Sequence, residues 1–144
     1  MADAVGPKRP AGDMTILIVD DDEDILGLLE ILVHRDGFKI VTASGGEEAI
    51  SKLAEGPNGL VLDLIMPGAA DGFTVLEAVE SLPFPPPVIV VTGSPSASDL
   101  DRASRSPVAK AVIKKPIRQE ELLTALHKAL NTVPSPPQKP AAAD

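Results

Sequence analysis

Thr15-Ile16-Leu17-Ile18-Val19-Asp20-Asp21-Asp22-Glu23-Asp24 is the stretch on which the reading of the whole chain turns. Thr15–Val19 is a continuous, largely β-branched apolar run of the kind that forms a strand buried on both faces. Acids follow it at once and end the strand. Beyond them Ile25, Leu28, Leu29 and Leu32 recur at i, i+3, i+4 and i+7, so a helix begins in the acids and buries one face. Gly37 stands where that helix should stop. The rest of the chain repeats this strand-then-helix unit. Lys39–Thr42 reads as a second strand, and Ser44 with Glu47 as a capping box before a helix carrying Ala49, Ile50 and Leu53 and ending at Gly56. Leu60–Leu62 is a third strand, followed by a helix at Thr74–Leu82 that the prolines of Pro83–Pro87 terminate. Val88–Val91 and Ala109–Ile113 are the fourth and fifth strands, with a weak helix at Asp99–Arg105 and a strong one at Gln119–Leu130. Such alternation requires right-handed crossovers, and so an α/β fold: a doubly wound, five-stranded parallel sheet with helices on both faces.

Composition narrows the function. The chain has 144 residues, 44% of them apolar and 24% charged, which suits one globular domain at about 100–200 residues per domain. A net charge of −8 argues against a nonspecific phosphate-backbone binder, so no nucleic-acid partner is expected. The absence of cysteine removes disulfides, thiol nucleophiles and Cys-ligated zinc, and only His34 and His127 remain for imidazole chemistry. No apolar run approaches the ~20 residues of a membrane span, and Met1–Asp13 lacks the hydrophobic block of a signal peptide. The expectation is a cytoplasmic protein without a membrane partner. Residues 1–13 and 133–144 hold Pro7, Pro10, Pro134, Pro136, Pro137 and Pro140 and almost no large apolar residue, so both are expected as flexible tails around a domain at 14–132.

In open parallel sheets the functional crevice lies beyond the carboxyl ends of the strands. The first strand ends in Asp20 and Asp21, the third in Asp63, the fourth in Thr92 and the fifth in Lys115. Two carboxylates about 4 Å apart repel by about 4 kcal/mol at an effective dielectric of about 20, so three in one crevice need a cation, a proton or a lysine. An all-oxygen donor set favours a hard cation, Mg²⁺ before others. Lys115 and Thr92 add a compact charge and a hydroxyl suited to phosphoryl oxygens. The site reads as one that accepts a phosphoryl group on a carboxylate. Asp22, Glu23 and Asp24 read instead as an N-cap and first-turn acids.

These residues resemble the receiver domain of two-component response regulators over nearly all of Met14–Leu130. The resemblance rests on I-L-I-V-D-D-D at Ile16–Asp22, V-L-D-L-I-M-P-G at Val61–Gly68, D-G at Asp71–Gly72, V-V-T-G at Val90–Gly93 and K-K-P at Lys114–Pro116. It implies a flavodoxin-like fold, with Asp63 as phosphoacceptor, Asp21 as direct Mg²⁺ ligand and Asp20 as the acid reaching the metal through water. The backbone carbonyl of Ile65 would be a third protein ligand. Thr92 would bond the phosphoryl group, Lys115 would pair with it, and a cis peptide would precede Pro116. It further implies a single-domain regulator, a monomer or weak dimer. The phosphoryl group would come from a sensor histidine kinase or a histidine phosphotransfer protein, and a downstream protein would read the fourth helix, fifth strand and final helix. The protein would promote its own phosphorylation and dephosphorylation without being an enzyme in the ordinary sense.

Three features depart from the family pattern. The loop P-G-A-A-D-G at Pro67–Gly72 is one residue longer, Val112 replaces the usual Tyr or Phe three residues before Lys115, and Ser96–Ser106 is rich in serine. With no aromatic to rotate, the segment Gly93–Ser106 is expected to be mobile until phosphorylation orders it. The D-x-D of Asp20 and Asp22 also has the spacing of haloacid-dehalogenase-type phosphatases, with Asp20 as nucleophile. Asp24 stands where that motif wants Thr or Val, and no acidic pair closes it.

Overall fold

A computed structural model of the chain describes residues 7–93 and 96–137. Five strands, β1 (Thr15–Val19), β2 (Lys39–Ala43), β3 (Gly59–Leu62), β4 (Val88–Thr92) and β5 (Ala109–Lys114), form one parallel sheet in the order β2-β1-β3-β4-β5. Helices α1 (Glu23–Arg35), α2 (Gly46–Lys52), α3 (Gly72–Glu80), α4 (Ala97–Ser104) and α5 (Gln119–Leu130) connect and cover it. Side chains alternate across each strand. Leu17, Val19, Leu60, Leu62, Val88 and Val90 therefore pack against α2, α3 and α4, while Ile16, Ile18, Val61, Ile89 and Val91 pack against α1 and α5. The sheet is buried on both faces, as the unbroken apolar runs of β1, β3 and β4 require.

Local signals set most element ends. The Asp22 carboxylate accepts from the Asp24 and Ile25 N–H groups and caps α1. Gly37, at φ +103°, lets the chain turn into β2. At α2 the expectation fails. Gly45, not Ser44, is the N-cap, and Glu48 rather than Glu47 folds back to accept from the Ser44 N–H at 2.8 Å. Gly46 lies so close to Ala70 that a Cβ would meet the Ala70 carbonyl oxygen at 2.1 Å. Only glycine at this position leaves room for the Pro67–Gly72 loop.

The tails also differ from expectation where they are described; residues 1–6 and 138–144 lie outside the described residues. Arg9–Pro10 pairs in parallel with Thr132–Val133, and Ala11 is completely buried with Met14 and Phe38. The Ser135 hydroxyl accepts from the Gly12 N–H at 2.9 Å, and the Ser135 N–H donates to the Asp36 carbonyl at 2.9 Å. The packed body thus extends on both sides of 14–132, because few and small side chains suffice when backbone pairing and one buried alanine hold them.

His127, to which sequence reasoning assigned no role, fastens this region. Its Nε2 lies 2.8 Å from Asp36 Oδ2, its Nδ1 lies 2.8 Å from Thr132 Oγ1, and its ring stacks on Phe38 at 5.1 Å between centroids. Spacing along α5 shows only a histidine on a partly buried face, since its partners come from α1's end and the chain after α5. His127→Leu keeps bulk against Phe38 but strands two polar partners. Urea unfolding should show a loss of about 1–3 kcal/mol; an unchanged midpoint would remove this role.

Candidate functional site

The carboxyl ends of β1, β3, β4 and β5 open on a cleft of about 480 Å³ lined by Asp20, Asp21, Asp22, Asp63, Ile65, Gly93 and Lys115. The sheet register brings them together. β3 pairs with β1 on one side and β4 on the other, so Asp63 follows Leu62 beside Val19, and its N–H donates to the Val19 carbonyl at 3.0 Å. The Lys115 N–H donates to the Thr92 carbonyl at 2.9 Å, which extends the β4–β5 ladder to the lysine. The peptide bond between Lys115 and Pro116 is cis.

Asp20 is 1% exposed and Asp63 4%, whereas Asp21 is exposed. Carboxylate oxygens of all three lie within 4.8 Å of one another. Lys115 Nζ lies 3.1 Å from Asp20 Oδ2 and 3.6 Å from Asp63 Oδ2. The second Asp20 oxygen accepts from the Asp22 N–H at 2.9 Å, and Asp63 Oδ1 accepts from the Ile65 N–H at 3.3 Å. Burial first, and the neighbouring Asp20 charge second, push Asp63 from the ordinary 3.8 up to about 6, against the opposing pull of Lys115. Burial alone would lower the Lys115 ammonium, but its hydrogen bond to Asp20 and the Asp63 charge outweigh it and hold the lysine above its usual range.

One lysine against three acids leaves negative charge uncompensated. The donor set is all oxygen, two of its acids are buried, and the third is open to solvent. These residues fit a hard divalent cation of the Mg²⁺ type. Thr92 is fully buried at the end of β4; the cleft wall beside it is Gly93.

A family model described as "Response regulator receiver domain" matches residues 16–127. The chain belongs to that family. It is similar to the transcriptional regulatory protein PrrA of Mycobacterium tuberculosis, at 38% identity over 85 residues, 58% of this chain and 36% of that protein. It is also similar to the response regulator SaeR of Staphylococcus aureus, at 30% identity over 115 residues, 80% of this chain and 50% of that protein. The chain thus spans between about a third and half of the length of these curated relatives. Among solved structures, a receiver domain protein from Clostridium thermocellum superposes with a TM-score of 0.72 at 28% identity, covering 82% of this chain and 94% of that one. A CheY-like receiver domain protein from Methanospirillum hungatei gives a TM-score of 0.73 at 28% identity, covering 81% and 93%.

Membership of the receiver family replaces the haloacid-dehalogenase reading and places the protein in phosphorylation-based two-component signalling. The structure agrees with the change, since the Asp22 carboxylate of that D-x-D is spent on capping α1. Among the described residues, no helix is long and apolar enough to cross a membrane.

Proposed function

We propose that this receiver domain takes a phosphoryl group onto the Asp63 carboxylate from the phosphohistidine of a sensor histidine kinase or histidine phosphotransfer protein. Mg²⁺ held by Asp21, Asp63 and the Ile65 carbonyl, with Asp20 reaching it through water, would neutralise charge on the transferring group. The observation that carries the reading is the placement of Lys115 Nζ between the two buried carboxylates, 3.1 Å from Asp20 and 3.6 Å from Asp63. An Asp63 oxygen attacks phosphorus in line, the P–N bond to the histidine breaks, and an acyl phosphate forms. Lys115 then pairs with the phosphoryl oxygens instead of the Asp63 carboxylate, and the Thr92 hydroxyl donates to another. Attack of water on phosphorus returns Asp63 and inorganic phosphate. The same side chains serve both directions, so the domain supports its own phosphorylation and dephosphorylation. The face formed by α4, β5 and α5 carries the phosphorylated state to a downstream protein.

The test is a phosphotransfer profile in which purified histidine kinases of the source organism, charged from radiolabelled ATP, are mixed with the protein in Mg²⁺. Transfer from at least one kinase within seconds to minutes, blocked by EDTA, is expected. A protein that stays unlabelled by every kinase and by acetyl phosphate would overturn the reading.

A further inference from the structure

We propose that Arg102, seated over the Phe73 ring, is the contact through which α4 senses the state of the Asp63 cleft; the relay rests on the reading of Asp63 as phosphoacceptor. The path starts at the acceptor's own backbone. A Cβ on Gly72 would stand 2.3 Å from the Asp63 carbonyl oxygen and 2.3 Å from the Leu64 Cα, so only glycine lets the start of α3 lie flat on this peptide. The Gly72 N–H donates to the Leu64 carbonyl at 2.9 Å. Asp71 caps the helix by accepting from the Thr74 N–H at 3.0 Å. Backbone displacement at Asp63 and Leu64 therefore carries the first turn of α3 with it. Phe73 is the next residue, and it is buried.

On the other side of the contact, the Arg102 guanidinium carbon stands 4.0 Å from the centroid of the Phe73 ring. Arg102 comes from α4, whose one buried residue among those described is Ala103. An element with so little apolar surface withdrawn from water is held by its specific contacts, and it is the part of the fold most easily re-seated. Its backbone packs against β5, while the side-chain contacts of its exposed face run to α3. Besides the ring, Arg102 faces Glu77 at 3.7 Å, an ion pair whose side chains are 60% and 69% exposed and which solvent therefore weakens. Just beyond α4, the Ser106 hydroxyl bonds to the Glu80 carboxylate. Arg105, the residue that follows α4, is exposed and pairs with Asp101 one turn back at 2.7 Å. On β5, Val112 is a β-branched residue with restricted rotamers, partly buried on the same side of the sheet. The guanidinium over the buried Phe73 ring is the contact that depends on relative position, since it weakens once the two shift apart. A shift at the phosphoacceptor peptide thus changes how α4 is held.

Amide hydrogen exchange of the full chain in Mg²⁺, with and without beryllofluoride as the phosphoryl mimic, tests the relay. In the wild type, exchange across Ala97–Ser104 should change by about fivefold or more between the two states, the lower end of ordinary inter-site coupling. Arg102→Gln and Phe73→Leu should each abolish most of that change, while Arg105→Gln should keep it. Arg102→Gln alters a partly exposed side chain and keeps the experiment decisive if Phe73→Leu fails to fold. Binding of the mimic is read separately, from Mg²⁺-dependent protection of the Asp63–Met66 peptide in every variant. Absence of that protection in the wild type overturns both the phosphoacceptor reading and the relay. Protection with an undiminished α4 response in Arg102→Gln, or in folded Phe73→Leu, overturns the relay alone.

Discussion

Asp63→Asn should abolish labelling by acetyl phosphate in Mg²⁺ and, without metal, should make the domain more stable. The first effect follows from loss of the carboxylate nucleophile. No cysteine is present to substitute. The second follows from the crowding of buried acids. Because burial and Asp20 raise Asp63 to about 6, the folded state holds this proton more tightly than the unfolded chain does. Between the ordinary 3.8 and about 6 the folded state therefore binds more protons, and this group's contribution to stability falls as pH rises. Its destabilising effect is complete above pH 6 and fades as pH drops towards 3.8. Asparagine carries no such charge. In EDTA at pH 7.5 the variant should exceed the wild type by about 1–3 kcal/mol, with the gap closing as the solution is acidified. Taking the difference between the two proteins cancels the titration of all other groups. Labelling of the variant at the wild-type level would remove Asp63 as acceptor, and a gap that widens on acidification would contradict the electrostatic account.

Mg²⁺ is expected to raise the melting temperature by about 10 °C at a hundredfold excess over Kd. A ligand bound only by the native state stabilises it by about 2.7 kcal/mol at that excess, and a domain of this size gains roughly 4 °C per kcal/mol. Asp21→Ala should remove most of this gain. Asp21 is the exposed member of the cluster, while Asp20 is held by Lys115 and the Asp22 N–H. Its removal takes away a ligand and a repelling charge without opening a cavity, so the metal-free variant should be as stable as the wild type or slightly more so. Calorimetry with and without Mg²⁺ separates the two effects. A wild-type melting temperature indifferent to Mg²⁺ would count against the site as a metal centre.

The strand runs Thr15–Val19 and Val88–Val91, the helical repeat Ile25, Leu28, Leu29 and Leu32, and the acids or lysine at the strand ends are all written in the sequence. Each is a periodic or terminal signal written within a few residues, and the rule that crevices form beyond strand ends converts the order of those signals into a site. Those signals are enough for the α/β architecture and for the acids and lysine of the cleft; Thr92, expected beside them, is fully buried and Gly93 takes the cleft wall. How each is held there comes from the packing of the fold. It placed Asp20 and Asp63 in the interior while Asp21 stays exposed, started α2 after Gly45, and brought the Ala70 loop against Gly46. It also decided that Arg102 stacks on Phe73, and that Gly12 meets Ser135 across 123 positions of chain. Contacts of this kind join residues whose neighbours in sequence carry no common period. They depend on where the packed sheet and helices bring distant backbone into reach, and no local pattern encodes that distance.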